Sequence, residues 1–391
     1  MKIGQLVFTK KMTAGVSVFN RSFHSKVEEL GEKVIDFAPL DEEEYDKIPQ
    51  IGEALKYTTL IEHLDEARKC DLIFGSNTTS ISYINRKIPL VTAYHSVPGA
   101  ILNEIPSDFE RISEPFVFEQ YIREAEKLGI PPEKDSWRNV ENINLADKYI
   151  AQNCKNLVAV SQRAKAELMN FYNIPSEKIQ VIENGVQDYW FKKEKCEKCK
   201  KITEKWEKTG KPTMVYLTRV SRGNTLNSAV KGIDRALAAI KHTGENINKV
   251  VISLTHETVI DKFKKLFNDA GAEFIANHPH KHLPHLIQKA DICIQTSRYE
   301  GFGYVLAEEM ASQAACVAFP SGFLPEIVKN RENVILVNNT EEMIQAVKEL
   351  AEDENLRKKL GRNARKAITT RYTLKQMAKD YIDYFKKVLT K

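Results

Sequence analysis

Short apolar runs and amphipathic segments alternate along this chain at intervals of roughly 25 to 35 residues, and that alternation restricts the fold more than any other feature. In the first half the apolar runs are Ile3–Phe8, Lys33–Ala38, Asp71–Gly75, Leu90–Ala93, Leu157–Val160 and Lys178–Ile182. In the second half they are Met214–Thr218, Lys249–Leu254, Glu273–Ala276, Asp291–Thr296, Ala315–Phe319 and Val334–Val337. Between them, Val18–Leu30, Ile51–Arg68, Val140–Gln152, Gln162–Tyr172, Ile233–Lys241 and Val259–Ala270 read as helices, and Ser161 stands as an N-cap. Strands that are apolar throughout need both faces covered, and parallel neighbours need a crossover long enough to hold a helix. The pattern therefore predicts an α/β fold built on parallel sheets. A chain of 391 residues is expected to form two such domains. Their limits are set at 1–190 and 205–372, with the lysine-dense Asp188–Lys211 read as a linker and a short exposed helix. Ala100–Val140 holds four prolines among aromatic residues and reads as an irregular helical insertion. The last fifty residues are helical, ending with Thr373–Leu389.

Composition enters as a set of exclusions. Hydrophobic residues make up 42% and charged residues 28%, and no apolar run approaches the roughly 20 residues of a membrane span. The N-terminus, MKIGQLVFTKK, reads as a first strand and lacks the long apolar region of a signal peptide, so a cytoplasmic location is expected. The net charge of +5 is mild; it fits phosphorylated ligands or weak association with the inner face of a membrane, and no nucleic-acid partner is expected. Of the six cysteines, Cys293 and Cys316 lie in apolar strands and read as buried thiols. Cys196 and Cys199 form a single CxxC with no second pair, so they are not read as a metal or redox site.

The stretch Ser297–Ala311, SRYEGFGYVLAEEMA, carries the clearest chemistry. It follows the buried strand Asp291–Thr296, turns on Gly301 and Gly303, and continues as a helix over Tyr304–Ala314. A strand, a glycine turn and a helix N-terminus make an anion site, and in doubly wound sheets ligands sit at the carboxyl ends of strands. Glu300 and Glu308 frame the turn. Carboxylates beside an anion site point to neutral hydroxyls, such as those of a sugar or a ribose. Glu309 projects about 100° round the helix from Glu308 and reads as structural.

In this ordered set the chain resembles the retaining glycosyltransferases of family 4, which have the GT-B fold of two Rossmann-like domains facing a central cleft. The residues that carry the resemblance are EGFGYVLAE at 300–308, with its two glutamates eight apart, Val160-Ser161 before a helix, Asn184-Gly185-Val186, and Lys231-Gly232. Leu283-Pro284-His285-Leu286 leading to Asp291, and Pro325-Glu326-Ile327-Val328, complete it. The resemblance implies that Glu308 holds the ribose of a nucleotide donor and Glu300 contacts the donor sugar. It implies that the backbone at Phe302, Gly303, Tyr304 and Val305 binds the diphosphate, that Arg219 and Lys231 neutralise it, and that His95 lies near the donor sugar and acceptor. Gly15 falls in the family's glycine loop, although the usual paired glycines are reduced to one. Thr218-Arg219 replaces the family's Gly-Arg, and Arg222 is the alternative phosphate arginine. The final helix, 373–391, is expected to pack back on the first domain.

The implied reaction moves a hexose from a nucleotide-diphosphate sugar, such as a UDP- or GDP-hexose, to a hydroxyl acceptor that is a sugar, lipid-linked or otherwise. Oriented cations can stabilise the departing diphosphate, so neither a metal nor another cofactor is expected. A sugar-nucleotide epimerase or hydrolase of the same fold, or a non-catalytic sugar-nucleotide-binding protein, are the competing functions. The run His278–His285, HPHKHLPH, spaces three histidines by two as on a strand face. With two prolines interrupting it and no carboxylate partner apparent, it reads as a loop lining the nucleobase pocket.

Overall fold

The structure, a computed structural model, describes residues 1–7, 16–38, 57–100, 136–192, 196–220 and 230–390. It divides into two compact units. The first comprises Met1–Asn103, Lys134–Gly185 and Tyr372–Lys391; the second, among the described residues, comprises Val186–Arg371.

In the first unit, β1 (Lys2–Leu6), β2 (Lys33–Phe37), β3 (Leu72–Ser76), β4 (Leu90–Tyr94), β5 (Asn156–Ala159) and β6 (Ile179–Val181) form one parallel sheet in the order β2-β1-β3-β4-β5-β6. The winding reverses between β1 and β3, which puts a switch point at their carboxyl ends. Helices α1 (Val16–Glu29), α2 (Ser136–Asn153) and α3 (Gln162–Tyr172) cover the faces. Ser161 caps α3 as expected, its hydroxyl accepting from the Ala164 N–H at 3.0 Å.

The second unit opens with α4 (Glu197–Glu207), followed by β7 (Thr213–Val220), α5 (Ile233–His242), β8 (Asn248–Thr255), α6 (Ile260–Asp269) and β9 (Glu273–Ala276). It continues through β10 (Ile292–Gln295), α7 (Tyr304–Ala311), β11 (Ala315–Ala318), β12 (Ile335–Leu336), α8 (Thr340–Glu352) and α9 (Glu354–Arg371). The parallel sheet runs β12-β11-β10-β7-β8-β9. The chain winds one way from β7 to β9 and then returns to place β10 beside β7. All four residues of β10 are buried, and Met214, Tyr216, Ile233, Phe263, Ile294 and Val317 form part of the core around it.

The last helix, α10 (Leu374–Leu389), belongs to the first unit. Phe74 of β3 lies 4.8 Å from Phe23 of α1, 5.1 Å from Tyr381 and 5.3 Å from Phe385, so α10 closes an aromatic core. Its cap, Thr373, passes so close to Gly185 that a Cβ at 185 would stand 2.5 Å from the Thr373 carbonyl oxygen. The Asn184-Gly185 motif therefore has a packing reason.

Two expected elements differ. Ile51–Arg68 is not one α-helix: residues 51–56 lie outside the described residues, Tyr57–His63 is a 3-10 helix, and only Leu64–Ala67 is α-helical. The adjacent Thr58 and Thr59 are poor helix formers. The segment read as a linker is instead part of the second unit. Cys199, Thr203 and Trp206 form a buried stripe on α4, Trp190 is fully buried, and the Trp206 indole donates to Glu273 at 3.1 Å. Ala100–Val140 falls almost wholly outside the described residues. No helix among the described residues is long and apolar enough to cross a membrane.

Candidate active site

The switch point of the second sheet lies between β7 and β10, and the sequence-predicted donor-side residues gather there. Arg219 is the penultimate residue of β7. It is exposed, yet the protein packed around it lowers its guanidinium pKa. Lys231 precedes α5. Its carbonyl accepts from the Tyr216 hydroxyl at 2.9 Å and from Thr296 Oγ1 at 2.8 Å. Gly232 follows with φ +63°, and a Cβ there would lie 2.0 Å from the Thr296 carbonyl oxygen. Only glycine allows the two segments to meet so closely.

That approach brings Lys231 Nζ to 2.6 Å from Glu300 Oε1, in an ion pair whose side chains are 23% and 16% exposed. Ser297 Oγ lies 2.8 Å from the same carboxylate oxygen. One residue on, Arg298 is held by Asp234 at 2.8 and 2.6 Å, a bidentate pair that ties the turn to α5.

The glycine turn is clamped from behind. Gly303, at φ +98°, is the N-cap of α7. Phe302 stacks on Phe323 at 4.5 Å, and the Phe323 N–H donates to the Phe302 carbonyl at 2.9 Å. Gly322, at φ +61°, would place a Cβ 2.2 Å from that carbonyl oxygen. The N-terminus of α7, the positive end of its dipole, thus begins at Gly303 and runs into Tyr304 and Val305.

Glu308, one turn along α7, is buried. His280 Nε2 lies 3.3 Å from its Oε1, and His280 Nδ1 lies 2.7 Å from the Tyr189 hydroxyl. Burial disfavours the His280 cation, but the Glu308 carboxylate outweighs it and raises the pKa. The histidine run turns as a loop, as its prolines predict: His280–His282 is a 3-10 turn, and Glu308 supplies the carboxylate partner that the sequence did not show. Glu309 is fully buried, neither of its oxygens has a partner among the described residues, and burial followed by the Glu308 charge drives its pKa far up. It is a core residue, consistent with the structural reading of its position round the helix. The CxxC also gains a neighbour, because Cys199 Sγ lies 3.3 Å from His278 Nε2. Among the described residues no group of three or more His, Cys, Asp or Glu is arranged to hold a metal ion.

His95 belongs to the first unit, just past the carboxyl end of β4. Its Nε2 lies 3.3 Å from Ser76 Oγ, its ring sits 4.3 Å from that of Phe19, and its backbone N–H donates to Asn77 Oδ1 at 3.0 Å. Burial pulls its pKa down to about 3, so the imidazole is neutral. Asn77, at φ +48°, also donates to Asp147 at 2.8 Å, and burial pushes Asp147 up to about 8. Gly15 and Arg222 lie outside the described residues.

Comparison with known proteins bears on the family and the fold. Residues 198–367 match the family described as glycosyl transferases group 1, and residues 26–188 match glycosyltransferase family 4. The chain belongs to this family of transferase enzymes. An uncharacterized glycosyltransferase of Methanocaldococcus jannaschii is 24% identical over 247 residues, a match that spans 59% of each chain. Sucrose-phosphate synthase from Thermosynechococcus elongatus superposes with a TM-score of 0.74 at 16% identity, covering 100% of this chain and 99% of that one. HepE of Anabaena, solved with UDP and glucose, gives a TM-score of 0.70 at 16% identity over 99% of this chain and 100% of its own. These likenesses establish the GT-B fold.

Within this glycosyltransferase, sequence reasoning missed several residues that hold the candidate site. Ser297 and the Arg298–Asp234 pair lie beside the motif but carry no signature of their own. His280 and Tyr189 are 91 residues apart, and neither points to the other by spacing. Asn77 and Asp147 look like ordinary polar residues in the sequence. Their burial is what singles them out.

Proposed function

We propose that the chain is a retaining glycosyltransferase that moves a hexose-type sugar from a nucleoside-diphosphate donor to a hydroxyl acceptor in glycan, polysaccharide or glycolipid assembly. The observation that carries this reading is the Lys231–Glu300 ion pair at the β7/β10 switch point, set against the glycine turn that opens α7. A cation, a sugar-sized carboxylate and a helix N-terminus share one corner, and Glu308 sits one turn away. HepE, of the same fold, is solved with UDP and glucose, which supports a nucleoside-diphosphate sugar here.

In this reading Glu308, braced by His280, accepts hydrogen bonds from the ribose hydroxyls. Glu300 turns to the hydroxyls of the donor sugar as Lys231 exchanges its carboxylate for a phosphate oxygen. Lys231, Arg219 and the dipole of α7 then stabilise the diphosphate as negative charge accumulates on it. These groups carry the charge without calling on a metal ion. The sugar becomes oxocarbenium-like as its bond to phosphate lengthens. The acceptor hydroxyl attacks from the same face, its proton passing to the departing phosphate, so the anomeric configuration is kept. His95, neutral and held by Ser76 and Asn77, serves the acceptor side as a hydrogen-bonding group.

The test is transfer by the purified chain from UDP- and GDP-hexoses to a panel of hydroxyl acceptors, with the anomeric configuration of the product read by NMR. Product of retained configuration, absent with Glu308→Ala, is the expected result. Normal turnover by Glu308→Ala, or an inverted product, would sink the assignment.

A further inference from the structure

The CxxC lies outside the donor site, and the structure gives it a setting that spacing alone did not. Cys196 is the N-cap of α4 and partly exposed, while Cys199, in the first turn, is 1% exposed. Their sulfurs are 2.9 Å apart. The single S–H of Cys199 has three acceptors within reach: Cys196 Sγ, His278 Nε2 at 3.3 Å and the His282 carbonyl at 3.5 Å. The four other thiols, Cys70, Cys154, Cys293 and Cys316, are all buried and free.

We propose that Cys196 and Cys199 form a thiol–disulfide exchange site, with Cys196 as the attacking sulfur, Cys199 as the resolving sulfur and His278 as the proton acceptor for the resolving step. A thiolate at a helix N-terminus, with a second cysteine three residues on, is the arrangement that favours attack by the first sulfur. Partial burial pushes the Cys196 thiol up, but the hydrogen bond from Cys199, the N–H groups of Cys199 and Lys198, and the Lys198 charge outweigh it and leave it lowered. Burial first, and then Cys196, push the Cys199 thiol up to about 12, so it needs a base to react. Burial and the neighbouring His282, His285 and Lys198 lower the His278 pKa and favour the neutral imidazole, whose Nε2 faces Cys199 Sγ at 3.3 Å and can accept in the tautomer protonated at Nδ1.

The steps balance with an external disulfide as oxidant. The Cys196 thiolate attacks one sulfur of that disulfide, forms a mixed disulfide and expels a thiolate. Cys199 gives its proton to His278 Nε2 as its sulfur attacks Cys196 Sγ. The Cys196–Cys199 bond forms, and the second external thiolate leaves. Two protein thiols are oxidised, and one external disulfide is reduced to two thiols.

The experiment treats the reduced full chain with oxidised glutathione and follows intact mass and mapped peptides. The native chain is expected to give the Cys196–Cys199 disulfide with little lasting adduct. Cys199→Ser should trap glutathione on Cys196, whereas Cys196→Ser should give neither adduct nor internal disulfide. His278→Ala should leave the first attack intact and slow ring closure about a hundredfold near neutral pH, flattening its pH profile. Three results overturn the proposal: glutathione on Cys199 in Cys196→Ser, oxidation of Cys196 no faster than that of the four buried thiols, or one zinc ion per chain that shields the pair. Because the native chain alone reports the second and third, variants that fail to fold do not spare it.

Discussion

Replacing Lys231 by Met removes one charge while leaving the backbone that holds it. The Lys231 carbonyl keeps its bonds from Tyr216 and Thr296, and Gly232 keeps its left-handed conformation, so the turn into α5 should survive. The lost ion pair is neither on the open surface nor fully buried, at 23% and 16% exposure. Glu300 also retains Ser297 Oγ at 2.8 Å. The stability cost is therefore about 1–2 kcal/mol, between the surface and buried limits. For a unit of this size that lowers Tm by roughly 2–8 °C. The effect on turnover should be larger. Removing one preorganised donor aimed at developing charge costs about 10²–10³ in kcat, roughly 2.7–4 kcal/mol. The assay pairs release of nucleoside diphosphate in the presence of acceptor with a thermal melt of the same sample. Turnover within about threefold of the native chain would refute the role given to Lys231. A loss of turnover that merely follows the unfolded fraction would refute it equally.

His280→Ala should weaken the second unit by about 1–2 kcal/mol near pH 6, because it leaves the buried Glu308 without its partner. Since the folded pKa of His280 is raised, the pair's contribution is full below the ordinary histidine value and is lost as pH rises through the raised one. The gap between native and variant melting curves must therefore narrow toward alkaline pH, and a gap constant with pH contradicts the pairing. Gly322→Ala should cost about 2 kcal/mol or more in denaturant unfolding, since its left-handed backbone and a Cβ 2.2 Å from the Phe302 carbonyl cannot both be accommodated. An unchanged midpoint would show that the glycine turn is not clamped there. Asp147 keeps its proton in the folded chain up to about pH 8 but loses it near the ordinary carboxylate value when unfolded, so stability falls as pH rises through that window. Asp147→Asn, whose carbonyl can still accept from Asn77, should flatten that decline, as urea midpoints at mildly acid and neutral pH would show.

The stretch from β10 through α7 was legible because its signals are local. An apolar run bounded by polar residues, a glycine turn and a helical period all lie within some twenty residues, and each reports its own backbone state. The alternation of strands and helices was readable for the same reason, and so was the Ser161 cap. Periodicity failed where residues owe their place to packing. Asp188–Lys211 looked like a charged linker because lysines outnumber its buried residues, yet Trp190, Cys199 and Trp206 suffice to fix it in the second unit. The histidine run was readable as a loop from its prolines, but its carboxylate partner Glu308 was not, because the two meet only through packing.

The sequence by itself determined that the chain builds parallel α/β sheets and that Glu300, Glu308 and the glycine turn form one local unit. Tertiary structure decided who faces whom. Lys231 and Glu300 are 69 residues apart and meet because the return from β9 sets β10 beside β7. His280 reaches Glu308 and His278 reaches Cys199 through the same folding of loops at the sheet's edge. A strand's own residues fix its period and its burial, but its neighbours are fixed by crossovers whose route depends on the packing of the whole core. Side-chain partners far apart in sequence are settled only when that core forms.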